Sequence, residues 1–172
     1  MLAELSGRIA AVVDGGACAV GVESTVVAVA PGGALRLLRP GAVSRDALAE
    51  VGPVTLAAGD RASPGHTASH YAPATPVVLL DAPAVPEPGP VAVLAATDPG
   101  LAEALTAAGH DVRASRVLSA RGDPEEAARG LFAALRALDS AGVARILVEP
   151  WPSDAGLGHA IRDRLRRAAG RG

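Results

Sequence analysis

DPEEAARGLFAALRALDSAGVARILV, residues 123–148, is the stretch that decides the fold. Asp123 is a good N-cap, Pro124 suits the first helical position, and Glu126 stands three residues after the cap, placed to reach back to it. Ala128, Leu131, Phe132, Leu135 and Leu138 then share one helical face. Gly142 ends the helix, and Ile146-Leu147-Val148 follows as an uninterrupted apolar run. An amphipathic helix feeding a strand with no polar face predicts a helix lying on a buried sheet. The pattern repeats on both sides. Val77 to Leu80 and Val91 to Leu94 read as buried strands, separated by the proline-rich DAPAVPEPGP of residues 81–90. A helix is expected from about Pro99, with Asp98 as cap and Gly109 as stop. A last helix spans Leu157 to Ala168, with Leu157, Ile161, Leu165 and Ala168 on one stripe. Alternation of this kind predicts an α/β fold with a parallel, Rossmann-like sheet over residues 76–172.

Upstream the pattern changes. Arg8 to Val13 leads into Asp14-Gly15-Gly16, and Val20 to Val29, Leu35 to Arg39 and Val54 to Ala57 read as strands, with a helix near Ser44 to Val51. Three strands and one short helix make a poor independent core, so residues 1–62 read as the end of a domain. Residues 63–75, SPGHTASHYAPAT, have no apolar period and contain Pro64 and Pro73; they read as a linker.

Composition narrows the chemistry. The chain has 172 residues and a net charge of −2, and every basic residue is Arg. This balance gives no general polyanion-binding signal, and no step here can use a lysine. Cys18 is the single cysteine, which excludes an internal disulfide and a cysteine-rich zinc site and suits a reducing cytoplasm. The N-terminal MLAELSGR has no signal-peptide core, and the apolar runs are too short to span a bilayer. A cytoplasmic protein without membrane contact is expected.

Aromatics are 2% of the chain: Tyr71, Phe132 and Trp151. The core is therefore Val, Leu and Ala.

Gly21-Val22-Glu23-Ser24-Thr25-Val26-Val27 places three polar side chains inside an apolar run. Alternation sends Ser24 to the face of Val22 and Val26, and Glu23 and Thr25 to the other. A buried polar group left unsatisfied costs roughly 1–3 kcal/mol, so these need partners, either a neighbouring strand or a ligand. In Leu35 to Arg39 the same logic puts Arg39 on the stripe of Leu35 and Leu37, just before Pro40-Gly41. A guanidinium there needs an anion, either a phosphate or a structural partner such as Glu23. His66, His70 and Tyr71 crowd the linker. The histidines are four apart, but the flanking prolines argue against a helix, and no carboxylate or thiol completes a metal site. No metal ligation by protein side chains is expected. Gly156-Leu157-Gly158 lacks the full spacing of a phosphate turn and reads as the start of a helix. Arg162, Arg164, Arg166, Arg167 and Arg171 read as a solvated face that complements the helix dipole.

The order of these motifs carries a resemblance. DGG at 14–16, GVESTVV at 21–27, LLRPGAVS at 37–44, SPGHTASHYAP at 63–73 and the closing ILVEPWPSDAGLGHAIRDRLRRAA resemble the two-domain threonylcarbamoyl-AMP synthases. Those enzymes have a YrdC-like catalytic domain, a linker, and a small Rossmann-like C-terminal domain. The resemblance implies the end of the YrdC-like domain at 1–62, a linker or lid at 63–75, and the C-terminal domain at 76–172. It implies a nucleotidyltransferase that turns L-threonine, bicarbonate and ATP, the ATP carried with Mg2+, into threonylcarbamoyl-adenylate and pyrophosphate. The product serves tRNA threonylcarbamoyladenosine formation, with RNA contact through the YrdC-like domain.

By the resemblance Ser24 lies near threonine, Arg39 contacts ATP, and Tyr71 approaches the nucleotide with His70 beside it. The family's Lys-x-Arg and Ser-x-Asn elements, which precede DGG, are not found in this chain. It therefore reads as an N-terminally shortened half, completed by an upstream segment or a partner chain. The alternative is a non-catalytic nucleotide- or RNA-binding remnant that acts through a partner.

Overall fold

A computed structural model describes residues 5–56, 72–81 and 89–170. Toward the N-terminus, β1 (Val26–Val29), β2 (Leu35–Arg39) and β3 (Val54–Leu56) form a three-stranded sheet in that order, with β1 antiparallel and β3 parallel to β2. The short helix α1 (Arg45–Ala49) joins β2 to β3, and the Ser44 hydroxyl caps it by accepting from the Ala47 N–H at 3.1 Å.

The second sheet is the all-parallel one that the alternation predicts. It contains β4 (Val77–Leu79), β5 (Val91–Ala95), β6 (Val112–Val117) and β7 (Arg145–Val148), in the order β4-β7-β5-β6. Three helices, α2 (Leu101–Ala107), α3 (Pro124–Asp139) and α4 (Leu157–Ala168), accompany it. Every residue of the inner strand β5 is buried. On one face Ala92, Leu94, Ile146 and Val148 meet Leu131, Leu135 and Leu138 of α3 and Ile161 and Leu165 of α4. This is the main apolar core, and α2 lies separately against β5 and β6. Among the described residues, no helix is long and apolar enough to cross a membrane.

Several local expectations need correction. Between Val20 and Val29 only Val26–Val29 joins a ladder, because residues 21–25 are held by side-chain and helix contacts instead. The helix expected at Pro99 starts at Leu101: the Asp98 carboxylate accepts from the Gly100 N–H at 2.8 Å, closing a turn that delays the helix. Its end is as expected, with His110 N–H bonded to Leu105 O and Gly109 N–H to Thr106 O.

Asp123 caps α3 by accepting from the Glu125 and Glu126 N–H groups at 2.8 and 3.2 Å. Glu126, however, does not close the reciprocal box directly. Its carboxylate accepts from the Ser119 hydroxyl at 2.6 Å, and that hydroxyl accepts from the Asp123 N–H at 3.0 Å. Strand β6 has no counterpart in the sequence reading: it lies at a sheet edge, and most of its residues are exposed, so no apolar period marks it.

Ala74 and Thr75, just before β4, are fixed to the second sheet's layer. Asp139, the last residue of α3, accepts from the Thr75 N–H at 2.8 Å and the Ala74 N–H at 3.3 Å. The Thr75 N–H is the main reason its carboxyl lies below the ordinary aspartate value, against the opposing effect of burial. A depressed folded value means that the anchor is present above the unfolded pKa of about 3.9 and is lost as pH falls through the lower folded value. The Thr75 amide resonance should therefore titrate with a midpoint below about 3.9, and Asp139→Asn should remove that step. A midpoint at or above the free value would contradict the anchor.

Candidate functional site

Ser24 and Arg39 come together at the open end of the first sheet. Arg39 Nε donates to the Ser24 carbonyl at 3.0 Å, and its Nη2 donates to the Ser24 hydroxyl at 3.1 Å. Ser24 and Arg36 are exposed and Arg39 is half-buried. The pairing between β1 and β2 shifts register between Val26 and Val27, with Val26 opposite Arg39 and Val27 opposite Leu37. Leu38 is the extra residue, and it is buried beside Leu37, so simple alternation along β2 fails at this bulge. The result places a fixed positive charge beside an accessible hydroxyl. Such a pair can accept an anionic or zwitterionic ligand.

Two loops hold this pair. Thr25 Oγ1 donates to the Val43 carbonyl at 2.9 Å and accepts from the Val43 N–H at 3.0 Å. Between them, Gly41 sits so close to the 23–25 backbone that a Cβ would overlap the Thr25 nitrogen and the Glu23 carbonyl oxygen. Only glycine fits that approach. Glu23 gives its carboxylate to Arg164, whose Nε lies 3.0 Å away. Of the two kinds of partner open to Arg39 from the sequence, a ligand anion or Glu23, the second is thus engaged by Arg164.

Arg164 also corrects the reading of the last helix as a solvated arginine face. It is fully buried, and Arg167 is buried too. The signal was available: Arg164 follows Ile161 by three residues and so lies on the apolar stripe of α4. Like Arg39, it is a charge on an apolar stripe and needs a partner there. The start of α4 agrees with the sequence reading, with Gly156 as N-cap and Gly158 against Trp151. Parallel sheets bind ligands outside the carboxyl ends of their strands, where the strand order reverses. Between β5 and β7 that position is filled by the chain's own Glu149, which accepts from the Ala96 and Thr97 N–H groups at 2.6 and 3.1 Å.

His66, His70 and Tyr71 lie outside the described residues. Among the described residues, no group of three or more His, Cys, Asp or Glu side chains is placed to hold a metal ion.

The family described as "Threonylcarbamoyl-AMP synthase, C-terminal domain" matches residues 43–170. The chain belongs to the threonylcarbamoyl-AMP synthase family. The threonylcarbamoyl-AMP synthase of Bacillus subtilis (strain 168) is 34% identical over 179 residues, covering 97% of this chain and 51% of that protein. The Pyrococcus abyssi (strain GE5 / Orsay) threonylcarbamoyl-AMP synthase is 32% identical over 174 residues, covering 95% and 50%. The crystal structure of P. abyssi Sua5 complexed with L-threonine superposes with a TM-score of 0.69 at 27% identity, covering 99% of this chain and 52% of that one. A P. abyssi Sua5 variant with a His-Tyr pair changed to alanines superposes at 0.65, also at 27% identity, over 98% of this chain and 49% of that one. The chain spans about half the length of the threonylcarbamoyl-AMP synthases that it matches. The family match begins at Val43, but the relatives' alignments cover nearly the whole chain, so likeness to the family includes the Ser24–Arg39 segment.

Proposed function

We propose that this chain supplies the C-terminal part of a threonylcarbamoyl-AMP synthase, which converts L-threonine, bicarbonate and ATP into threonylcarbamoyl-adenylate and pyrophosphate for tRNA modification. The observation that carries this reading is the Arg39–Ser24 pair, a cation and a hydroxyl 3.1 Å apart at an open loop, in a chain of this family. Making an adenylate requires an oxygen nucleophile to displace pyrophosphate from the α-phosphorus of ATP. Negative charge then grows on the leaving oxygen, and a preorganised guanidinium stabilises it. Arg39 is assigned that task. Ser24, beside it, is assigned to threonine, and the P. abyssi relative solved with L-threonine supports the substrate class. Mg2+ accompanies ATP as part of the substrate.

His70 and Tyr71 are assigned to the nucleotide, with residues 63–75 as a lid anchored at Thr75 on Asp139. The P. abyssi variant has a His-Tyr pair replaced by alanines, and a His-Tyr dipeptide stands once in this chain, at 70–71. A lid of this kind shields a hydrolysable adenylate from water. Cleavage of the linker by a protease should slow when ATP and threonine are added to the complete enzyme, and Tyr71→Ala should abolish the protection. Ligand-independent cleavage would leave the segment a tether.

The charge set in the chain is incomplete for the reaction, since it has no lysine and lacks the family's Lys-x-Arg element. The 172-residue chain alone should therefore release no threonine-dependent pyrophosphate. Joined at its N-terminus to a segment bearing the Lys-x-Arg and Ser-x-Asn elements, it should do so. Release by the chain alone would overturn the assignment of the missing charges. A folded joined chain that binds ATP or RNA without turnover would favour the non-catalytic reading.

A further inference from the structure

We propose that Arg164 is a positioning residue through which α4, an element of the second sheet's layer, sets the distance between Ser24 and Arg39. The inference rests on the reading of those two residues as substrate groups and gives the C-terminal part of the chain a role in the site. Arg164 is 0% exposed. Its Nε donates to Glu23 Oε2 at 3.0 Å, and its Nη2 lies 2.9 Å from the same oxygen. Its Nη1 donates to the Pro40 carbonyl at 2.9 Å and to Asp163 at 2.8 Å. Asp163 in turn accepts from Arg167 Nε at 3.0 Å, which holds the carboxylate on the helix.

Glu23 immediately precedes Ser24, and Pro40 immediately follows Arg39. One planar side chain thus grips the residue before the hydroxyl and the residue after the cation. The two loops are also joined by the Arg39–Ser24 and Thr25–Val43 bonds and by the Gly41 approach. A second contact keeps the 19–23 segment on the same layer: Gly21 packs on the backbone of Ala128 and Arg129 in α3. A rigid fork with donors on both edges can serve Glu23, Pro40 and Asp163 together, which a single ammonium group cannot do. Buried ion pairs contribute little net stability compared with apolar packing, and register is their best-attested use. Here the register is that of two substrate loops.

The test uses the 172-residue chain and nitrogen-15 NMR, reading solvent exchange of the Arg39 Nε–H, the group bonded to the Ser24 carbonyl. Glu23 is partly exposed, so Glu23→Gln is the first variant, and Arg164→Lys is the second. In both, exchange of the Arg39 Nε–H should rise about tenfold or more, a fold-change that corresponds to about 1.4 kcal/mol, while β5 and β7 amides keep their protection. An unchanged Arg39 signal in the folded Glu23→Gln protein would overturn the proposal. So would a rise shared equally by the β5 and β7 amides, because that is loss of the fold and not of the site. The pyrophosphate assay judges the substrate roles of Ser24 and Arg39 without touching Arg164, so the two readings fail separately.

Discussion

Arg39→Ala, made in the chain joined to a segment bearing the Lys-x-Arg and Ser-x-Asn elements, should lower threonylcarbamoyl-adenylate formation about a hundredfold. That is the loss expected when one preorganised donor to a developing charge is removed. Arg36→Ala should leave the rate within about twofold, since Arg36 is exposed, three residues away on β2, and the field of an exposed charge is screened at the site. The comparison is informative because the two arginines share a strand and a formal charge. They differ in what they touch: Arg39 is bonded to Ser24 through two donors. Equal losses from the two substitutions would mean that general charge, not the Ser24–Arg39 geometry, matters.

The second large effect is on stability. Leu131 is fully buried between the sheet and its helices, so Leu131→Ala removes a side chain that the core cannot replace. Large-to-small changes at such positions cost about 2–5 kcal/mol, and the urea midpoint should fall accordingly. Val29→Ala is the control, because Val29 is 69% exposed at the outer strand of the first sheet. It should change stability by less than about 0.5 kcal/mol. A Leu131→Ala midpoint no lower than that of Val29→Ala would mean that α3 does not cover the parallel sheet in solution.

The parallel sheet was legible because its signals are local and redundant. In α3 a cap, a proline at the first position, a 3.6-residue apolar period and a terminal glycine all agree, and the helix forms over Pro124–Asp139. Strand β5 is buried on both faces and so appears as an unbroken apolar run. Strand β6 was illegible for the opposite reason. An edge strand needs apolar residues on only part of one face, and VRASRV shows no period.

The site divides in the same way. Arg39 was visible as a charge that continues an apolar stripe, and Ser24 as a polar residue within one. Their mutual contact was not visible, because it depends on a bulge at Leu38 and on the close approach of Gly41 to the 23–25 backbone. Arg164 was hidden by its neighbours. Four other arginines nearby made the tail look solvated, although position 164 falls on the buried stripe. The partner of Glu23 lies 141 residues away in sequence, and no local pattern encodes a pairing of that kind.

The assignment of the Ser24 loop to threonine stands or falls on the threonine saturation curve of Ser24→Ala in the joined enzyme. Loss of one hydrogen bond, about 0.5–1.5 kcal/mol, predicts a KM for threonine raised about two- to tenfold, with kcat within about twofold and the KM for ATP unchanged. A fall in kcat with the threonine KM unaltered would rule that assignment out, as would a curve that superposes on that of the unsubstituted enzyme.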